Sequence, residues 1–404
     1  MASGMPVSIL KSQQVKRFLG AIHNEYTRIT YMSTLRAFVQ YSKAKTPTEL
    51  FGTTSKIERR IEDWVAHMKE NGLQGTTIRM RILVLKLFYE MNRTPLAWKI
   101  ITKTAPPSKP LRDVGWTREQ LQKMLKVARI REQAMIPLLA SSGIRKGVIP
   151  LLRIRNLKPR DEHNIYQITC YEGESEEYVT YCSPEARTKL EEYFEYRRRY
   201  GEDLTPDSFV FRLEWNEDDP IAAKQPFQLT EKTVTSAIQQ IVLKSGLRKT
   251  VKSNSPSEAS GVRHEQKLLH GIRKFFLTTL RNAGYDKDWA HMLQGHKQKG
   301  LDENYYRPSD DTLLLGTISS DGKIRKPGFV DLMRELVVND EERAKIQVVE
   351  LEQKITDTEG LKRRVKRLES LVGKKTVELV DKTADVDSLE GEFSTPEPTR
   401  EDED

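Results

Sequence analysis

His270, Arg273, His296 and Tyr305 fall within one 37-residue block, HGIRKFFLTTLRNAGYDKDWAHMLQGHKQKGLDENYY. Side chains of these types can handle a phosphodiester without metal or nucleotide. A guanidinium neutralises phosphate oxygens with a planar fork of donors. Imidazoles hydrogen-bond those oxygens or take up a proton, and a phenol can attack as a covalent nucleophile. His270 and Arg273 are three apart on an expected helix, so both can face one phosphate. H-x-x-R alone is a weak motif that equally describes an exposed polar helix face. Its company gives it weight: Gly295-His296 stands at an expected helix end, and Tyr305 follows nine residues beyond that histidine. Far upstream, Ser142-Gly143-Ile144-Arg145 follows an apolar helix (Met135 to Leu139) and supplies a second arginine.

Positioning such a set needs more than one core, and 404 residues allow two or three. Residues 11–104 read as a helical domain, with residues 1–10 a flexible start. Phe18, Ile22, Leu35, Phe38 and Tyr41, then Ile61, Trp64, Val65 and Met68, recur at helical spacing. A third run has Ile78, Ile82, Leu85, Phe88 and Tyr89 on one side and Arg79, Arg81 and Lys86 on the other, either as a solvated face or as a phosphate-tracking one. The proline-rich stretch 105–111 is a linker. Thr117 and Gln120 form a capping box that opens the next helix.

Residues 112–330 read as a mixed domain, making the fold class mainly α with a small β-hairpin, that is, α+β. The hairpin strands are Ile165–Tyr171 and Tyr178–Cys182, with Glu172-Gly173 near the turn. Residues 201–227 read as loop, 250–263 as flexible, and the His270 block as two helices separated by Gly284. Residues 340–380 carry a short or interrupted coiled-coil seam: Val348, Leu351 and Ile355, then Leu361, Val365, Leu368 and Val372. It serves either an oligomer contact or a helix folding back on its own domain. The acidic stretch 381–404 reads as disordered.

The net charge of +9 conceals an asymmetry. Residues 378–404 hold eleven acidic and two basic side chains, so the other 377 residues carry +18. A body this basic suits a polyanion, most simply nucleic acid. No apolar run approaches the roughly 20 residues needed to span a bilayer, and no secretory signal is visible, so a cytoplasmic chain is expected. Cys170 and Cys182 match no zinc spacing and read as buried, reduced strand residues. His291 and His296, five apart, are expected on different helix faces, which argues against a metal site.

Taken together, Arg145, the pair His270 and Arg273, His296 and Tyr305 resemble the signature of the tyrosine recombinases, the phage-integrase family. The phrases FYEMN (88–92), WKI (98–100) and HGIRKFF (270–276) look like integrases of archaeal mobile elements. The resemblance covers roughly residues 12–315. It implies a helical, SAM-like core-binding domain followed by a tyrosine-recombinase catalytic domain. It also implies a site-specific DNA recombinase that cuts and rejoins strands through a 3′-phosphotyrosine link, without metal, ATP or other cofactor. By the resemblance, Arg145 and Arg273 grip the non-bridging oxygens and His270 and His296 assist. Tyr305 attacks, with Tyr306 the alternative. Double-stranded DNA is the implied partner, bound by several protomers, a tetramer for strand exchange.

One departure stands out. The family's hairpin carries a lysine that protonates the leaving 5′-oxygen, but here no lysine occurs between Asp161 and Lys189. The tip instead carries Glu172, Glu174, Glu176 and Glu177, which would repel a phosphodiester. Lys146 and Lys158 are the candidate replacements. A type IB topoisomerase would use nearly the same residues on one duplex. A DNA-binding relic that has lost catalysis is the non-enzyme alternative.

Overall fold

The computed structural model describes residues 5–107, 113–248, 266–296, 308–319 and 324–390. The chain divides into two compact units, Met1–Arg112 and Asp113–Asp404. The first is helical: α1 (Val7–Leu10), α2 (Gln13–Gly20), α3 (Glu25–Ser42), α4 (Thr54–Glu70), α5 (Gly75–Met91) and α6 (Trp98–Thr104). Ser12 caps α2 by accepting from the Val15 amide, and Asn24 caps α3 by accepting from Thr27. Each cap satisfies an amide that a helix start leaves open. The apolar faces close on a core of Phe18, Phe38, Trp64, Phe88 and Tyr89. Phe18 meets Phe88 edge-on at 5.6 Å, a favoured geometry for ring quadrupoles.

In the second unit, α7 (Arg118–Val127) opens with the expected Thr117–Gln120 capping box. The next helix, α8 (Ile130–Ser142), is buried nearly all round and ends at Gly143 in the left-handed region (φ +60°). Where a two-stranded hairpin was predicted, the sheet has three antiparallel strands: β1 (Leu157–Arg160), β2 (Ile165–Cys170) and β3 (Tyr178–Tyr181), in that order. The segment LKPR lacks the apolar alternation that announces a strand. Its proline is tolerated because β1 pairs on one side only, with β2. Cys170 and Cys182 are buried free thiols, and burial pushes both up to about 12.

Helix α9 (Pro184–Arg199) follows, then α10 (Pro220–Lys224) inside the stretch predicted as loop. Its signal was present: Asp219 caps it through the Ile221 and Ala222 amides, and Pro220 takes the first position. Next come α11 (Glu231–Lys244), α12 (Leu268–Asn282), α13 (Lys287–Leu293) and α14 (Asp310–Leu315). An unforeseen antiparallel pair follows, β4 (Gly316–Ile318) and β5 (Ile324–Pro327), then α15 (Phe329–Leu332) and α16 (Asp340–Glu390). Gly284, at φ +99°, separates α12 from α13 as expected. Residues 250–263 and Tyr305 and Tyr306 lie outside the described residues.

One expectation for the C-terminal segment needs correction, that of disorder beginning at residue 381. Helix α16 runs unbroken through Gly360, and it continues past residue 380 to Glu390. One glycine costs a helix only about 1 kcal/mol, and the flanking Glu, Lys, Arg and Leu residues offset it. Val348, Leu351, Ile355, Val365 and Leu368 are exposed along this helix. The side chains of Leu361 and Val372 are not among those described. Among the described residues no helix is long and apolar enough to cross a membrane.

Candidate active site

Three separate segments of the second unit bring Arg145, Arg273 and His296 together. Gly143 lets the chain turn sharply off α8, and a Cβ there would stand 2.4 Å from the Phe276 ring on α12. Gly295 plays the same part beyond α13: its φ is +68°, and a Cβ would stand 2.4 Å from the Tyr178 ring on β3. Each arginine then reaches across to a glycine of another segment. Arg145 donates from Nη2 to the Gly295 carbonyl at 2.5 Å, and Arg273 from Nη1 to the Gly143 carbonyl at 2.5 Å. Arg273 Nη2 also donates to the Gln294 carbonyl at 2.6 Å. The Arg145 guanidinium carbon lies 5.6 Å from the Tyr178 ring centre.

Among the described residues neither arginine is paired with a carboxylate. Burial, seconded by the Arg145 charge, pulls the Arg273 guanidinium below its ordinary range. Two half-buried cations lean on neutral carbonyls, and an anion of suitable size would relieve both.

His296 sits beside them with its Nε2 3.0 Å from Arg273 Nη2. An arginine can only donate, so Nε2 must accept, and the His296 proton belongs on Nδ1. That nitrogen is 3.0 Å from Nδ1 of His291, whose ring stacks at 5.2 Å. Both imidazoles are therefore neutral. Burial first, then the Arg273 charge, lowers His296 to about 4. The expectation that His291 and His296 point apart is corrected here. The helix ends at Leu293, and the turn through Gly295 folds His296 back over His291, its amide bonding the His291 carbonyl at 3.0 Å. Among the described residues no group of three His, Cys, Asp or Glu side chains is placed to hold a metal.

His270 lies in the first turn of α12, one turn before Arg273. Burial, then the charges of Lys274 and Lys267, lowers its pKa. Gly271 beside it lies under Trp116, whose Nε1 bonds the Leu268 carbonyl at 2.8 Å and would meet a Cβ at 2.7 Å. The proposed nucleophiles Tyr305 and Tyr306 fall outside the described residues.

Lys146 is ion-paired to Glu231 at 3.0 Å, and Lys158 is exposed on β1 opposite Gln167. Two of the hairpin glutamates are drawn aside. Glu172 Oε2 accepts from Arg155 Nε and Asn156 Nδ2, both at 2.9 Å, and Glu177 accepts from the Gly173 amide at 2.6 Å.

The three cations of α5 do not form one face. A helix advances about 100° per residue, so positions 79 and 86 nearly coincide while 81 lies roughly 200° away from 79. Arg81 accordingly stacks 5.8 Å from the Trp64 ring and is partly desolvated. Arg79 and Lys86 instead line a cleft of about 440 Å³ with Trp98, Lys99, Thr102 and Lys103. Arg79 Nε and Trp98 Nε1 are buried there without hydrogen-bond partners. Lys99 and Lys103 were not singled out in the sequence, although their i, i+4 spacing puts them on one face.

No protein-family model and no curated protein matches the chain. Solved structures do. The Tn1549 transposon integrase in complex with a circular intermediate DNA is 15% identical with a TM-score of 0.54, over 79% of this chain and 97% of that one. The same integrase with transposon right end DNA is 15% identical with a TM-score of 0.52, over 74% and 95%. The fold is a tyrosine-recombinase fold. At this identity the likeness extends to the architecture, the α+β class expected from the sequence.

Proposed function

We propose that this chain is a site-specific DNA recombinase or integrase of the tyrosine type. The observation that carries the reading is the arginine cradle: Arg145 held by the Gly295 carbonyl and Arg273 by the Gly143 carbonyl, with neutral His296 beside them and, among the described residues, no carboxylate to neutralise them. A scissile phosphate fits that charge deficit. The guanidiniums would stabilise the charge that grows on the non-bridging oxygens during attack. To donate to the phosphate from Nε2, His296 would shift its proton pattern with His291, which can accept or donate at the shared Nδ1 contact. His270 would take the nucleophile's proton. Tyr305 would form a 3′-phosphotyrosine bond, which conserves the energy of the broken linkage, so rejoining needs no ATP.

In this reading the helical unit is the core-binding domain, and its Arg79–Lys86–Lys99–Lys103 cleft takes backbone phosphates of double-stranded DNA. Strand exchange needs a tetramer on DNA, and the exposed apolar positions of α16 would supply a coiled-coil contact. The direct test mixes the protein with a nicked suicide DNA duplex and looks for a covalent adduct on denaturing gels. The adduct is expected to vanish in Tyr305→Phe and persist in Tyr306→Phe. Tight binding with no adduct at any salt would leave a DNA-binding protein instead. Supercoil relaxation without joining of two duplexes would make it a topoisomerase.

A further inference from the structure

The recombinase reading needs a proton donor for the departing strand, and the hairpin offers one that is not a lysine. Tyr171 directly follows β2 with φ +55°, a left-handed backbone that a bulky residue adopts only when its surroundings hold it. Its carbonyl closes the tip by accepting from the Glu174 amide at 2.9 Å. Its ring centre lies 6.3 Å from that of Tyr178, the ring beneath Arg145. Its hydroxyl reaches the turn that carries Arg145, standing 3.0 Å from where a Cβ on Gly147 would be. Glu231 Oε1 lies 2.9 Å from that same point, while its Oε2 holds Lys146 at 3.0 Å. The bare Gly147 thus leaves room for a phenol two residues along from Arg145, where a larger residue would crowd it. The tip's Glu172 and Glu177 are bonded to Arg155 and to the Gly173 amide, while the Glu231 and Glu176 charges bear on the phenol and favour its protonated form.

We propose that Tyr171 is the general acid of strand cleavage, giving its phenolic proton to the 5′-oxygen as the phosphorus–oxygen bond breaks. The proposal rests on the recombinase reading above. The nucleophile's oxygen forms the new bond to phosphorus, the P–O5′ electron pair leaves on O5′, and that oxygen takes the Tyr171 proton. The resulting phenolate faces the Arg145 charge and recovers the proton from the 5′-hydroxyl when the strand rejoins. Burial raises the Tyr171 phenol and the Arg145 charge opposes it, so the donor is fully protonated at neutral pH. An alkoxide is a far stronger base than a phenolate, so the transfer runs downhill.

The test compares suicide duplexes with oxygen or sulfur at the bridging 5′ position, since a thiolate leaves without a proton. With oxygen, Tyr171→Phe is expected to form adduct about 10²-fold or more slower than wild type. With sulfur it should come within a few-fold of wild type. Equal slowing on both substrates would make Tyr171 a merely structural residue and overturn the proposal, as would unimpaired cleavage of the oxygen substrate. Sulfur rescue of Lys146→Met in place of Tyr171→Phe would transfer the role to that lysine. Wild type that cleaves only the sulfur substrate would show a chain with no acid, sinking this proposal while leaving the nucleophile intact. Failure of wild type on both substrates would remove the recombinase reading, and this one with it.

Discussion

Two pairs of arginines in the second unit are held in opposite ways. Arg197 and Arg212 are fully buried and share one carboxylate. Arg197 binds Glu202 through Nη2 and Nε at 2.5 and 3.0 Å, and Arg212 binds it at 2.8 Å. Further donors reach the carbonyls of Phe209, Val210, Ala222 and Ala223, while Arg212 Nε is buried without a partner. Arg145 and Arg273 donate to carbonyls but, among the described residues, to no carboxylate. The first pair needs only the fold to be complete. In the proposed reading the second is completed by the DNA phosphate, which would separate a structural charge cluster from a binding one.

The largest effect should come from breaking the closed cluster. Glu202→Ala strands two buried guanidiniums and is expected to cost about 3–5 kcal/mol in denaturant unfolding. Burial raises the Glu202 carboxyl, but the hydrogen bonds from Arg197 and Arg212 outweigh it and hold its pKa below the ordinary value. A depressed carboxyl stabilises the fold above its unfolded-state pKa and loses that contribution as pH falls through the folded one. The Glu202→Ala deficit should therefore shrink in acid. A variant as stable as wild type at neutral pH would erase the distinction between the pairs.

Arg273→Ala should do the reverse. Adduct formation is expected to fall about 10²–10³-fold, the size of losing one transition-state donor, with a smaller unfolding cost than Glu202→Ala. Arg145→Ala should match it. If either variant lost stability but kept cleavage, the open cradle would be structural after all.

The smallest effect extends the same contrast to α5. Arg79→Ala should weaken DNA binding and reduce the slope of log affinity against log salt by about 0.9. Arg81→Ala should leave that slope unchanged and lower the melting temperature through lost packing on Trp64. Equal slope changes would reject the division between the cleft and the Trp64 stack.

How much of this was legible in the sequence depends on the kind of signal. Helices of the first unit, the Thr117 capping box and the Gly284 break were readable because apolar period and cap chemistry are local. Strand β1 was not, because an edge strand reading LKPR is stabilised by its neighbour rather than by its own pattern. The motif brought Arg145, Arg273 and His296 to attention, but nothing in the spacing could place the two arginines on the carbonyls of Gly295 and Gly143. His291 was missed for the opposite reason. Helical geometry was extended past Leu293, where the chain had already turned. The face of α5 was misread although the sequence held the answer, since residues two apart on a helix point in nearly opposite directions.

Gly143 and Gly295 carry a consequence for tolerance to change. Each combines a left-handed backbone with an aromatic ring 2.4 Å from where a side chain would begin. Each also offers the carbonyl that aims the opposite arginine. Alanine at either position would displace a ring and misdirect a guanidinium contributed by a segment about 130–150 residues away in sequence. In a scan of single substitutions, these two residues, with no side chain of their own, should be as intolerant as the arginines they steer.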